Sequence, residues 1–238
     1  MFWNYQYEYK NAITNELGLS CQCKLYLLTN KKNETYRNRC EQVHTWLLET
    51  VDMINSSLWL FNDGLNDSTC LNNDGLTWTY NQGVILLGLE LMSQIDPARY
   101  FNASLTLAKR LIYGVTTHLI QIQNTSSSVT PQAHILREVV NATQVRTSTD
   151  HEQFKGIWMR YASYFFKYLQ DLNIEPQLRN DMRNFVRENW YYGLLTYAKY
   201  PSDGVFVFDS VWYEDYQYSD GVSQTSAIDA FNAAFVFL

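Results

Sequence analysis

Carboxyl groups set among aromatic rings are the first candidates for chemistry in this sequence. Glu214 and Asp215 lie close to Asp209 and Asp220, and Trp212, Tyr213, Tyr216 and Tyr218 surround them. Two carboxyl groups flanking a bond can divide acid and base roles. This cluster lies in a loop outside any motif, so contact with a polymer at a rim is the preferred reading. A second candidate is the run Trp78-Thr79-Tyr80-Asn81-Gln82. Its rings can stack on sugar faces while Asn81 and Gln82 bond hydroxyls; equally, the amides can cap backbone groups and Trp78 can pack in a core. Lys155 and Arg160, with Lys10, can reach a substrate, but such side chains at helix ends more often pair with carboxylates such as Glu16 or Asp229. A calcium loop starting at Asp63 needs Asp or Asn at 65, Gly at 68 and Glu at 74. The chain has Leu65, Ser68 and Asp74, so that pattern fails. His44, His118, His134 and His151 show no ligand spacing. Phosphate-cradling glycine loops and the Gly-x-Ser-x-Gly nucleophile turn are absent. The expectation is therefore no cofactor and no metal.

Helices must position these groups. Apolar spacing predicts seven, at 10–29, 34–55, 80–95, 98–122, 152–171, 177–198 and 224–238, with no convincing strands. In the fifth, Phe154, Ile157, Trp158, Tyr161, Ala162, Phe165 and Leu169 form one apolar stripe. The third, with Val84, Ile85, Leu86, Leu87, Leu89 and Leu91, is apolar nearly all round and should be buried on all sides. Helices one, three, five and seven recur about every 70 residues. The helices between them carry more charge, as in Arg179, Asp181, Arg183, Arg187 and Glu188. That alternation predicts stacked helical hairpins with long polar loops gathered at one end. A closed ring of six hairpins needs twelve helices, so seven predict the later part of such a ring, its opening portion missing.

Composition narrows the partners. Net charge is −6, with 46% hydrophobic and 18% charged residues. Nucleic acid and acidic membrane surfaces are disfavoured. The longest apolar run, Val84 to Leu89, is too short to span a bilayer. A monomer is expected. Six Asn-x-Ser/Thr sequons, at Asn33, Asn55, Asn66, Asn102, Asn124 and Asn141, point to glycosylation on the secretory path. The segment from Met1 to Glu8 has no basic, apolar or cleavage region of a signal peptide, which favours a truncated or mature chain. Cys21, Cys23, Cys40 and Cys70 contain no Cys-x-x-Cys pair, and their pairing stays open.

Four segments recur near the starts of the buried helices: Tyr9-Lys10-Asn11-Ala12-Ile13 with Asn15-Glu16-Leu17; Trp78-Thr79-Tyr80-Asn81-Gln82-Gly83; Phe154-Lys155-Gly156-Ile157 with Arg160-Tyr161; and Gln224-Thr225-Ser226-Ala227-Ile228-Asp229 with Asn232-Ala233-Ala234. In this order and spacing, together with Asn62-Asp63-Gly64-Leu65, Cys70 and Asn72-Asn73, they resemble glycoside hydrolase family 76, the endo-α-1,6-mannanases, over nearly the whole chain. The resemblance implies an all-α chain that forms part of an (α/α)6 barrel. It also implies retaining hydrolysis of α-1,6-linked mannan, and export to the cell surface in fungal members. Tyr80, Asn81, Gln82, Trp78, Lys155 and Arg160 then become candidate substrate contacts, with α-mannan or a related wall polysaccharide as partner. The family carries its nucleophile and acid/base as two consecutive aspartates upstream of the matched region. No Asp-Asp dipeptide occurs in this sequence, so no catalytic residue is carried over. Before Phe154, where fungal members often have cysteines, the chain reads Thr147-Ser148-Thr149-Asp150-His151, which leaves Cys70 without its usual partner. The alternatives are a non-catalytic carbohydrate-binding or wall protein of the same descent, or another (α/α)6 sugar enzyme such as an epimerase or an unsaturated-uronide hydrolase.

Overall fold

A computed structural model describes residues 1–2, 9–200 and 204–237. The long helices are α1 (Ala12–Leu28), α2 (Glu34–Thr45), α3 (Thr79–Ile95), α4 (Pro97–His118), α6 (Thr149–Asp171), α7 (Pro176–Glu188) and α8 (Gly221–Phe237), with a short α5 (Ala142–Arg146). The buried helices α1, α3, α6 and α8 thus begin at Ala12, Thr79, Thr149 and Gly221, which keeps the expected interval of about 70 residues. Short links join α1 to α2, α3 to α4 and α6 to α7, while long connections follow α2, α4 and α7. Leu238, the expected end of the last helix, lies outside the described residues.

Local chemistry sets the boundaries. Asn11 caps α1 by accepting from the Thr14 amide, Asn33 caps α2, and Pro176 opens α7, where its missing N–H costs nothing. The second and sixth helices do not run on in α form as expected. α2 passes into a π-helical turn at Trp46–Thr50, and α7 into one at Asn189–Leu195. The wider winding re-aims the side chains it carries.

Strands also appear where none were expected. β1 (Ile54–Asn55) pairs with β2 (Leu60–Phe61), and β3 (Ile120–Asn124) with β4 (Gln132–Leu136), both antiparallel. The fourth helix therefore ends at His118 rather than 122. Ile120-Gln121-Ile122-Gln123 alternates with period two; across the hairpin Ile120 faces Leu136 and Ile122 faces His134, while Gln121 and Gln123 face Ile135 and Ala133.

The chain divides into two compact units, Met1–Gly114 and Val115–Leu238, and α4 carries it from the first to the second. In the first unit α1 packs against α2 and α3. A Cys23–Cys40 disulfide ties α1 to α2, while Cys21 and Cys70 are free and exposed. α3 buries Val84, Ile85, Leu86, Leu89, Leu91 and Met92, as its all-round apolarity requires. In the second unit α6 packs on α8 and α7. The closest approach is at Gly156, where an added Cβ would stand 2.6 Å from the Ser226 Cα. The Gly156 amide donates to the Ser226 hydroxyl at 3.1 Å.

Candidate functional site

In the first unit the loop before α3 folds back onto the start of α1. Leu65 N–H donates to the Lys10 carbonyl and Ala12 N–H to the Asp63 carbonyl, at 3.0 and 2.8 Å. Gly64 fits here because a Cβ would stand 2.5 Å from the Tyr9 hydroxyl. This pairing fixes the Asp63 carboxylate between the first turns of α1 and α3. Tyr9 donates to one oxygen at 2.8 Å; Tyr80 and the Asn81 amide donate to the other at 3.2 and 3.4 Å. Asn73 donates to the Tyr9 hydroxyl at 3.1 Å. Burial, and then the Asp63 charge, push the Tyr9 hydroxyl up to about 12 and raise that of Tyr80 further. Both phenols are therefore neutral donors at any physiological pH.

Behind Asp63 lies Glu16, fully buried, with neither carboxyl oxygen hydrogen-bonded among the described residues. Burial foremost, and the Asp63 charge next, hold its carboxyl well above the ordinary range. The buried Asn81 Oδ1 also lacks a donor among the described residues. One carboxylate, two phenols and an amide converging on one spot can orient vicinal hydroxyls, which donate and accept at once.

Gln82, expected beside Asn81 in the same role, is committed elsewhere. Its Oε1 accepts from the Phe61 amide at 2.7 Å, and its Nε2 donates to the Phe61 and Trp78 carbonyls, each at 2.9 Å. It fastens β2 to the start of α3. Trp78 is buried in the N-cap position of that helix.

A second polar cluster occupies the first turns of α6 and α8. Lys155 is buried, its Nζ lying 5.3 Å from the centre of the Trp212 ring. Burial depresses its ammonium, against the opposing field of Glu138, Asp209 and Glu152. Asp209 accepts from Arg146 Nε at 2.9 Å and from the amides of Val211, Gln217 and Tyr218, and so holds the 209–218 loop together. Arg146 also binds Glu214 at 3.1 Å, and Asp215 is exposed. The acidic cluster singled out in the sequence is thus organised by an arginine that the sequence did not flag. Glu152 is buried against Asp220; burial, and then that hydrogen-bonded neighbour, raise its carboxyl to about 7. Asp220 accepts the Val222 and Ser223 amides at the start of α8, and these bonds hold its carboxyl down. Arg160 forms a two-pronged pair with Asp229 at 2.9 and 2.5 Å, joining α6 to α8. Its guanidinium is committed to that pair.

All six sequon asparagines, Asn33, Asn55, Asn66, Asn102, Asn124 and Asn141, are exposed. Among the described residues no cluster of His, Cys, Asp and Glu could hold a metal ion, and no helix is long and apolar enough to cross a membrane.

Sequence comparison finds relatives along most of this framework. The mannan endo-1,6-alpha-mannosidase DFG5 of Saccharomyces cerevisiae is 28% identical over 159 residues, 66% of this chain and 31% of that protein. The mannan endo-1,6-alpha-mannosidase DCW1 of Eremothecium gossypii is 32% identical over 123 residues, 44% of this chain and 27% of its own. Among solved structures, an alpha-1,6-mannanase of Salegentibacter matches all of this chain and 62% of its own, with a TM-score of 0.76 and 19% identity. That protein is an inactive variant with two consecutive aspartates replaced, in complex with alpha-1,6-mannotetrose. Dfg5 from Chaetomium thermophilum in complex with glucosamine matches 99% of this chain and 53% of its own, at 0.69 and 17%. The chain thus spans about a third of the length of the curated relatives and some six-tenths of the Salegentibacter enzyme. The fold is that of the (α/α)6 enzymes, as the helix pairs led one to expect. The family model for glycosyl hydrolase family 76 matches residues 1–237, and the chain belongs to that family.

Proposed function

We propose that the protein acts on α-1,6-linked mannan, by retaining hydrolysis or transglycosylation in the construction of a cell wall, and that this chain supplies part of its substrate groove. The observation that carries this reading is Asp63, held by Tyr9, Tyr80 and Asn81 between two helix starts. A carboxylate whose lone pairs are only partly used can accept from two adjacent sugar hydroxyls, while the neutral phenols and the amide donate back. Trp78 stiffens the start of α3, and Lys155 supplies positive charge in the second cluster. The likeness to the Salegentibacter variant, inactive with its two consecutive aspartates replaced and bound to alpha-1,6-mannotetrose, supports this substrate class.

Retaining hydrolysis needs two carboxyl groups about 5 Å apart across the scissile bond. This sequence contains no two adjacent aspartates. Alone, the 238-residue chain should bind α-1,6-mannooligosaccharides without cleaving them. The test is calorimetric titration with α-1,6-mannotetraose, with products followed by chromatography. Binding that weakens tenfold or more in Asp63→Asn is expected. Release of shorter oligosaccharides by the purified chain, or unaltered binding by the variant, overturns the reading. Export to the cell surface, glycosylation at the six exposed sequons and action as a monomer belong to the same proposal.

A further inference from the structure

In the second unit, a groove of about 700 Å³ runs beside the outer face of α7, between the π-helical turn that ends it and the β3–β4 hairpin. Its volume falls within the range of small-ligand sites. Asn184 and Arg187, at i and i+3, line it from α7. The π-helical turn adds Trp190, Tyr191 and Tyr192, and the hairpin adds Gln132. Tyr191 is 59% exposed and meets Tyr192 edge to face at 5.0 Å. Trp190 is steadied in the same manner by Phe231, at 6.4 Å.

The polar groups here have capacity left over. Glu188 is engaged, accepting from the His134 amide at 2.8 Å. The Trp190 indole N–H is buried and has no acceptor among the described residues, while the side chains of Asn184, Arg187 and Gln132 are exposed in the groove lining. Three aromatic rings interleaved with two amides and a guanidinium suit a ligand with an apolar face and a rim of hydroxyls. A pyranose has that form. An apolar helix laid in the groove would instead strand those donors away from water. The Arg187 and Glu188 charges offset one another, which favours a neutral ligand over an anionic one.

We propose that this groove, in the second unit, is a second saccharide-binding site that holds a wall oligosaccharide. The identity of the sugar rests on the mannan reading above; the site itself does not. The test follows the indole N–H resonances of Trp190 and Trp78 in the ¹⁵N-labelled chain during titration with α-1,6-mannotetraose, each resonance assigned from a Trp→Phe variant. The protein is made in bacteria, so that Asn124, paired with Gln132 across the hairpin, carries no glycan. The expected result is a saturable shift of Trp190 whose midpoint rises tenfold or more in Tyr191→Ala and in Arg187→Ala, while Trp78 responds as in the unaltered chain. Both substituted side chains are exposed, and unchanged spectral dispersion verifies the fold. A Trp190 resonance that never moves, or moves identically in both variants, overturns the second site. If Trp78 responds and Trp190 does not, the second site fails while the mannan reading stands. If Trp190 alone responds, the second site holds and the Asp63 assignment fails.

Discussion

Glu152 makes the stability of this protein depend on pH in a direction opposite to that of most carboxylates. The folded chain raises its carboxyl from 4.5 to about 7, chiefly by burial and then through the hydrogen-bonded Asp220. An unfolded Glu152 releases its proton above about pH 4.5 while the folded one keeps it, so the unfolded state binds fewer protons across this window. The contribution is complete below the unfolded value and is lost as pH rises through about 7. A shift of some two and a half units at about 1.4 kcal/mol each gives roughly 3 kcal/mol as an upper figure. Sharing of the proton with Asp220 trims this towards about 2 kcal/mol. Glu152→Gln keeps the shape and cannot titrate. Urea unfolding at about pH 5 and about pH 7.5 should show the unaltered chain losing about 1.5–2.5 kcal/mol more than the variant between the two conditions. Comparing the two proteins cancels the other titrating groups, Glu16 included. An equal pH difference in both would refute the assignment of this carboxyl as a proton-holding group.

Three further outcomes test the packing. Gly156→Ala places a methyl 2.6 Å from the Ser226 Cα and 2.7 Å from its carbonyl oxygen, so α6 and α8 must separate; a loss of about 1–3 kcal/mol in chemical unfolding is expected. Gln82→Leu strands the buried Phe61 amide and carbonyl and should cost about 2–4 kcal/mol, which thermal melting would register. Replacing both Cys23 and Cys40 with Ala opens a loop of sequence separation 17 and should lower stability by about 3 kcal/mol, read from the urea midpoint.

Most of the helical framework was legible because burial imposes a period on the sequence. The stripe from Phe154 to Leu169 and the all-round apolarity of Val84 to Leu91 could belong only to helices packed on one face and on all faces respectively. The β3–β4 hairpin was missed although Ile120-Gln121-Ile122-Gln123 alternates cleanly. The adjoining helical pattern of α4 ran into it, and neither Gly nor Pro marks the junction at Leu119. The π-helical turns carry no sequence signature, since the same residues satisfy a 3.6-residue period. For the site, Tyr80 and Asn81 could be named from one helix start. The meeting of Tyr9 with Asp63, of Arg146 with Asp209 and of Arg160 with Asp229 could not be fixed, because those contacts span 54 to 69 residues of sequence.

The two units reach a similar electrostatic arrangement by different residues. In each, an aspartate stands near the start of a buried helix while burial, and then that neighbour, raises the carboxyl of a glutamate beside it: Glu16 beside Asp63 in the first, Glu152 beside Asp220 in the second. Helix starts expose unpaired amides, and an anion placed there is held by them, as Asp220 is by Val222 and Ser223. A second acid packed behind such an anion is desolvated and then faces a like charge, and both raise its carboxyl. The interval of about 70 residues between buried helices therefore repeats more than a packing unit. Each repeat delivers a polar helix start, while the apolar stripes further along each helix hold the starts in place.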